Sequence, residues 1–208
     1  MEERIARLIA NWQKRNIKGL YCATREEATA AVLDHIPQQG RVGFSGSQTL
    51  EQLGLVKRLQ ARGSMVYDPY ASGLSQEEAQ AIRREASQAE YYLASPNAIS
   101  EKGELVFFSA WGNRTAGIAY AGHMVAVAGV NKVVPSLEEA LNRAREYSTP
   151  LNCKRLSWNT PCFKDGICRQ EICFSPEYRR MCCQILVVEA EAAAGRLQVV
   201  LVGDTLGF

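Results

Sequence analysis

The sequence lacks long apolar runs and any strong excess of charge of one sign. No apolar stretch approaches the roughly 20 residues that a membrane-spanning helix needs. Residues 1–4 open a charged helix where a signal peptide would have an apolar one. Lys and Arg number 24 and Asp and Glu number 22, a formal net charge of +2, which speaks against nucleic acid as the main partner. We therefore expect a cytoplasmic protein with neither a membrane nor a nucleic-acid partner.

Motifs of several familiar enzyme classes are also missing. No Gly-Lys-Ser/Thr follows the glycine-containing loops, and no G-x-G-x-x-G opens a helix. The two histidines, His35 and His123, stand in no Ser–His–acid order. The sequence therefore does not predict a P-loop nucleotide hydrolase, a dinucleotide-dependent enzyme acting alone, or a serine hydrolase.

What is present is an alternation of apolar strands and amphipathic helices. The segment from Ile5 to Trp12 repeats apolar residues at helical spacing, and capping-box sequences begin at Thr24, Ser75 and Ser136. Further helices are predicted at 24–35, 50–59, 75–89, 113–120 and 136–147. Strands are predicted at 20–23, 41–44, 65–67, 91–94, 105–108 and 124–128, with a final pair, 184–189 and 197–202, joined by a turn at 195.

This alternation predicts an α/β fold. Strands that alternate with helices of about 10–15 residues form βαβ units with right-handed crossovers, and hence a mainly parallel sheet. The length of 208 residues suits one domain. We expect a single domain over residues 1–208 with a Rossmann-like sheet and flanking helices, and a cysteine-rich appendage over residues 152–183.

Three loops are predicted at the carboxyl ends of strands, where parallel sheets bind ligands. The first, V-G-F-S-G-S-Q-T-L at 42–50, combines small residues, hydroxyls and a helix start, which suits phosphate or carboxylate; a plain strand-to-helix turn is the alternative. The other two, within residues 95–117 and 128–135, supply amide and basic side chains. Such side chains bind anions, or they serve only as helix caps and surface charges. The predicted ligand-binding residues are Ser45, Gly46, Ser47, Thr49, Glu51, Asn97, Asn113, Arg114, Asn131 and Lys132.

Five of the seven cysteines lie between residues 162 and 183, and an odd total excludes complete internal pairing. Four of the five, separated by five, four and eight residues, supply enough thiolates for tetrahedral zinc or an iron–sulfur cluster. Basic residues among them should lower the thiol pKa values. Reduced or redox-labile thiols, or one or two disulfides, are the alternatives. The predicted metal ligands are Cys162, Cys168, Cys173 and Cys182.

Five segments carry a family resemblance. They are V-G-F-S-G-S-Q-T-L-E-Q-L-G, S-P-N-A-I-S-E-K-G, W-G-N-R-T-A, V-A-V-A-G-V-N-K-V-V-P-S-L-E-E-A and G-R-L-Q-V-V-L-V-G-D-T-L-G-F. Together they resemble the lactate-utilisation (LUD-domain) family, whose stand-alone branch typically carries P-C-x5-C-x2-C-x-S-P-x3-C. The first spacing is kept here, whereas Cys173 and Cys182 each come two residues late.

The resemblance implies the fold of the ribose-phosphate isomerases, glucosamine-phosphate deaminases and CoA transferases. It also implies a part in oxidising L-lactate to pyruvate, as a subunit or accessory that binds a small anionic metabolite beside an iron–sulfur oxidoreductase subunit. The alternatives are a stand-alone isomerase- or transferase-like enzyme for a phosphorylated or CoA-linked metabolite, and a non-enzymatic metal-bearing assembly module. The sequence leaves open whether the chain is an enzyme and whether it forms homo-oligomers.

Overall fold

The computed structural model describes residues 2–208 as alternating helices and strands. The helices are α1 Glu2–Lys14, α2 Arg25–His35, α3 Gln48–Gln52, α4 Leu55–Ala61, α5 Gln76–Ser87, α6 Asn113–Tyr120, α7 Leu137–Arg143, α8 Thr149–Arg155 and α9 Pro161–Asp165. The strands are β1 Lys18–Cys22, β2 Arg41–Phe44, β3 Met65–Tyr67, β4 Tyr91–Ala94, β5 Ala98–Ser100, β6 Leu105–Ser109, β7 His123–Gly129, β8 Val133–Val134, β9 Gln184–Val188 and β10 Leu197–Val202. A 3₁₀ turn at Val130–Lys132 precedes β8, and a π-helical turn at Ala144–Ser148 joins α7 to α8.

The main sheet contains six parallel strands in the order β1-β10-β7-β4-β2-β3. The prediction of a mainly parallel, Rossmann-like sheet with flanking helices is confirmed. Strand β10 pairs with both β1 and β7, so Gln198 lies opposite Lys18 on one side and Val125 on the other. All six residues of β10 are buried, as expected for a parallel strand that is covered on both faces.

A second sheet contains four strands in the order β8-β5-β6-β9. Strand β6 pairs antiparallel with β5 and β9, and β5 pairs parallel with β8. The prediction that 184–189 and 197–202 form a final pair is wrong, because β9 joins this second sheet while β10 enters the main one. The burial of the two strands explains the difference: β9 is partly exposed and β10 fully buried, so only β10 suits the interior of a parallel sheet.

Two predicted helices differ from those observed. The helix predicted to end at residue 59 is divided into α3 and α4 by Gly54, whose φ of 61° lies in the left-handed region that glycine adopts without strain. The helix predicted to end at residue 147 continues through the π-helical turn into α8 and ends at Arg155. No helix among residues 2–208 is long and apolar enough to cross a membrane.

Helices cover both faces of the main sheet and form two apolar cores. On one face, α1 and α6 bury Leu8, Trp12 and Ile118, and the Trp12 indole donates a hydrogen bond to Gly103 O at 3.0 Å. On the other face, α2, α3 and α4 bury a second set that includes Leu50. Alternate residues of β4, β7 and β10 point into the two cores, as the two-residue period of a strand requires. The sheet is therefore a rigid base for the loops at its carboxyl edge.

Candidate functional site

A cleft of about 840 Å³ lies at the carboxyl ends of β2, β3 and β4. Ser45 follows β2, Asp68 and Tyr70 follow β3, and Asn97 follows β4. Residues of α4, α6 and α8 complete its walls. Open parallel sheets bind their ligands at this position, and the volume falls in the range of small-molecule sites.

The cleft brings together seven of the ten predicted ligand-binding residues. These are Ser45, Gly46, Ser47, Glu51, Asn97, Asn113 and Arg114. The other three, Thr49, Asn131 and Lys132, do not line it. Thr49 and Lys132 are buried, and the Asn131 side chain accepts a hydrogen bond from the Leu206 amide at 3.1 Å. These three residues lie behind the lining and support it from within the protein.

The loop after β2 places the Ser45 hydroxyl on the cleft wall, while its first two amides form hydrogen bonds within the protein. Ser45 N–H donates to Leu93 O at 3.4 Å, and Gly46 N–H donates to Tyr70 Oη at 2.8 Å. The Ser45 hydroxyl is buried on the cleft wall, close to the Tyr92 hydroxyl. The Ser45 and Gly46 amides are therefore not available to a ligand, and the Ser45 side chain is the polar group of this residue that can meet one.

Arg114 reaches the cleft from the first turn of α6. Its guanidinium donates to the carbonyl oxygens of Phe108, at 3.3 Å, and Ser95, and it lies 5.8 Å from the centre of the Phe107 ring. Its Nε atom has no partner among residues 2–208. Burial lowers the pKa of Arg114 from its usual value. A half-buried guanidinium that donates to two carbonyl oxygens is thus held at the edge of the cleft.

Lys132 is buried behind the cleft, and its ammonium donates three hydrogen bonds. The acceptors are Thr49 Oγ1 at 3.0 Å, Ser95 Oγ at 2.8 Å and Pro96 O at 3.2 Å. All three are uncharged. Burial, with the nearby charges of Arg114 and Arg143, lowers the pKa of Lys132 well below its usual value. Ser95 links the two cations, because its hydroxyl accepts from Lys132 and its carbonyl accepts from Arg114.

Three basic side chains therefore gather at this edge of the sheet without a carboxylate. Arg143 donates to Asn97 O at 2.7 Å and to Ser148 Oγ at 2.9 Å, and burial lowers its pKa. Within the described part of the chain, none of the ion pairs includes Arg114, Lys132 or Arg143. Of the three, only Arg114 lines the cleft, so its guanidinium is the positive charge without a counter-ion that a bound anion would meet.

The remaining predicted polar residues hold different positions on the cleft wall. Asn97 Oδ1 accepts the Phe108 amide at 3.0 Å, which ties its side chain to β6. Helix α6 is capped by Gly112, whose φ is 85°, so Asn113 is not its N-cap and its side chain lines the cleft. Glu51 lies exposed on α3 at the cleft wall. Of these three, Asn113 and Glu51 are the side chains best able to meet a ligand.

A second cavity, of about 10 Å³, is lined by the four predicted metal ligands. Cys162 belongs to α9, and Cys168, Cys173 and Cys182 belong to the segment between α9 and β9. All seven cysteines are free thiols. No three His, Cys, Asp or Glu side chains in residues 2–208 are placed so as to hold a metal ion. The four thiols are the donors that zinc or iron prefers, but they do not form a closed coordination site.

Burial is the main influence on the acidity of two of these thiols, Cys168 and Cys173. It raises the pKa of Cys168 and Cys173, and the neighbouring thiols add to the effect. Arg145 acts in the opposite direction on Cys168, and Arg180 on Cys173, without prevailing. The prediction that basic neighbours lower these pKa values is wrong, because the sequence shows the charges and not the burial. Burial likewise raises the pKa of Cys153, in α8, to about 12.

A family model described as the LUD domain matches residues 5–202. The chain belongs to the LUD-domain family. Among solved structures, the crystal structure of a DUF162 family protein from Deinococcus radiodurans is similar to it, with a TM-score of 0.54 and 10% sequence identity. The match covers 97% of this chain and 98% of that chain; at this identity it shows the fold alone. No curated protein matches the chain.

The cleft of this LUD-domain protein has an aromatic side that the sequence analysis did not find. Trp111 and Trp158 line it, with ring centres 6.0 Å apart. The Arg179 guanidinium lies 4.4 Å from the first ring centre and 4.5 Å from the second, and the Trp158 indole donates to Arg179 O at 2.5 Å. The three residues come from separate segments, so no sequence spacing signals that they meet.

Both histidines of the LUD-domain protein lie away from the cleft. His123 begins β7, at the amino edge of the sheet, and its ring stacks on Tyr91 with centres 4.7 Å apart. The His35 ring lies 6.3 Å from that of His123. Burial, with the charges of Lys18 and His123, lowers the pKa of His35. Neither ring is placed to act on a ligand in the cleft.

Proposed function

We propose that this LUD-domain protein binds a small anionic metabolite, a carboxylate or a phosphate, in the cleft. The observation that carries the proposal is Arg114, a basic side chain on the cleft wall that forms no ion pair within the described residues. A buried charge without a partner is costly, and an anion beside Arg114 supplies the missing counter-charge. Ser45 and Arg114 both line the cleft, and their hydroxyl and guanidinium groups offer the anion hydrogen-bond donors.

The family supports a 2-hydroxy or 2-keto acid as the first candidate ligand. In this role the chain would bind lactate or pyruvate as a subunit or accessory of an iron–sulfur oxidoreductase that converts L-lactate to pyruvate. Such an acid carries a carboxylate for Arg114 and an adjacent oxygen for Ser45. The chain would bind and orient the acid, and the partner subunit would accept its electrons.

The size of the cleft favours a second candidate, a larger phosphorylated or CoA-linked metabolite. Its volume of about 840 Å³ is near the upper end of the roughly 300–1,000 Å³ of drug-sized sites, and a three-carbon acid fills only a small part of it. Lys57, Arg83 and Arg155 add positive charge to the walls. In this role the chain would act alone, as an isomerase- or transferase-like enzyme.

Isothermal titration calorimetry with L-lactate, pyruvate, inorganic phosphate and ribose 5-phosphate tests the proposal. We expect Arg114→Gln to weaken binding of the preferred anion by about 10- to 100-fold, because a hydrogen bond to a charged group contributes about 1.5–3 kcal/mol. Ser45→Ala should weaken it by about 2- to 10-fold, as loss of a neutral hydrogen bond does. Arg84→Gln removes an exposed arginine of α5 outside the cleft and should bind like the wild type.

The pattern of preference separates the two candidates. Tighter binding of lactate and pyruvate favours the first, and tighter binding of the phosphate compounds favours the second. If none of the four anions binds, or if Arg114→Gln binds as tightly as the wild type, the proposal is wrong. Circular dichroism of each variant shows whether the fold is kept, so that a loss of binding is not a loss of structure.

A further inference from the structure

The segment between α9 and β9 exposes its bulky apolar side chains, whereas the four predicted metal ligands are buried or half-buried. Cys162 and Cys173 are each 7% exposed, whereas Ile167, Ile172 and Phe174 are 58%, 50% and 55% exposed. Free cysteine is often buried, but burial of the larger isoleucine and phenylalanine side chains would remove more apolar surface from water. The arrangement therefore points to an interaction that sulfur makes and hydrocarbon does not.

The same segment also needs a constraint that its backbone does not provide. Residues 166–183 contain neither helix nor strand, and ordering such a stretch is opposed by conformational entropy. Arg179 attaches one point of it, through a backbone hydrogen bond to Asn159 O at 2.9 Å and its contacts with two tryptophans. A ligand shared by thiols at three other points, and by Cys162 of α9, would attach the rest.

Four of the seven thiols line the small cavity. Cys22, Cys153 and Cys183 do not line it, and neither does any carboxylate or histidine of the described residues. Four thiolates on one divalent ion carry an excess of negative charge, which neighbouring cations stabilise. Three arginines line the cavity and can supply them: Arg145, Arg169 and Arg180.

The size of the cavity favours a single ion over a multi-iron cluster. Its volume of about 10 Å³ is about that of one water-sized sphere, which suits one ion with sulfur ligands at ~2.3 Å. No three ligands in residues 2–208 already stand in position, so binding must draw the sulfurs together. Three of the four lie in irregular backbone, which can make that adjustment.

We propose that one thiophilic divalent metal ion, of the zinc class, binds the four thiolates of this segment: Cys162, Cys168, Cys173 and Cys182. Each thiol gives up its proton as a metal–sulfur bond forms, so the protons go to solvent and no oxidant is needed. Thr149 and Met181 line both this cavity and the cleft. The metal site would thus brace one wall of the cleft, although the proposal does not depend on what the cleft binds.

Metal analysis of the full chain, purified anaerobically with reductant, tests the proposal. We expect one equivalent of zinc or iron per chain, or uptake of one equivalent of Zn²⁺ by metal-free protein. Substitution by Co²⁺ should give the absorption spectrum of a tetrahedral cobalt–thiolate site. Cys168→Ser and Cys173→Ser should each weaken Zn²⁺ binding by about 100-fold or more, whereas the control Cys183→Ser should bind like the wild type.

Three results would overturn the proposal. The first is metal-free protein that takes up no Zn²⁺ while all seven thiols react with a thiol reagent. The second is loss of thiols in pairs without metal, which would indicate disulfides. The third is several irons with acid-labile sulfide, which would indicate a cluster. Competition between the wild-type protein and a chelator measures the affinity even if a cysteine variant fails to fold.

Discussion

Replacing Lys132 by methionine should change how the stability of the protein depends on pH. In the folded protein this ammonium is 4% exposed and donates only to uncharged acceptors. Its pKa is lowered well below the usual value by burial and by the charges of Arg114 and Arg143. In the unfolded chain the same amine returns to an ordinary pKa of about 10.4.

The sign of the effect follows from proton linkage. Between the lowered pKa of the folded protein and about 10.4, the unfolded chain binds more protons at Lys132 than the folded protein does. The free energy of unfolding therefore rises with pH, by up to about 1.4 kcal/mol per pH unit from this one group. Lys132→Met has no ammonium and loses that slope. The wild type should thus gain stability relative to the variant as the pH rises.

Urea denaturation of both proteins at several values between about pH 7 and 10 measures the difference. Lys14→Met, which removes an exposed lysine from the last turn of α1, is the control, and its difference from the wild type should stay constant. If the difference for Lys132→Met is constant too, the buried amine has no lowered pKa. The description of Lys132 as a buried amine without a counter-charge would then be wrong.

Three other residues allow simpler tests by urea denaturation. Ser75→Ala should lower the free energy of unfolding by about 1 kcal/mol, because Ser75 and Glu78 form a reciprocal capping box at α5; an unchanged midpoint would contradict this. Gly43→Ala should lower it by about 1–3 kcal/mol, because a Cβ there would lie 2.0 Å from the Ala86 carbonyl oxygen. The wild type should lose stability below about pH 6.5, since the lowered pKa of His35 lets the unfolded chain bind the proton first; His35→Gln should reduce that loss, and an equal loss in both proteins would argue against it.

The main sheet could be predicted because its elements are signalled locally. Thr24, Ser75 and Ser136 are the observed N-caps of their helices, and β2, β3 and β4 have the predicted bounds. The second sheet could not be predicted, because β5 has three residues and β8 only two. Apolar stretches as short as these also occur in loops, so they do not indicate a strand. The separation of β9 from β10 depends on which surfaces each strand buries, and this is a tertiary property.

The cleft could be located because a parallel sheet brings its strand ends to one edge. That reasoning fails for Lys132. A lysine that follows a strand is expected to face the ligand, but Lys132 is buried against Thr49 of α3 and Ser95 of the loop after β4. The Asn131 side chain likewise accepts a hydrogen bond from the Leu206 amide, which lies far along the chain. The short spacing of the four cysteines indicated that they would lie near one another, and metal binding by them stays a prediction.

The position of β10 has a consequence for the order in which the chain folds. In the described structure β1 pairs only with β10, with Lys18 opposite Gln198, so the pairing joins residues from the two ends of the sequence. Such distant pairings form slowly, because chain entropy is lost before the contacts compensate. Until β10 inserts, β7 has an open edge and β1 has no neighbour, and open strand edges promote association. We therefore expect partly folded chains to aggregate through these edges, with refolding yields that fall as the protein concentration rises.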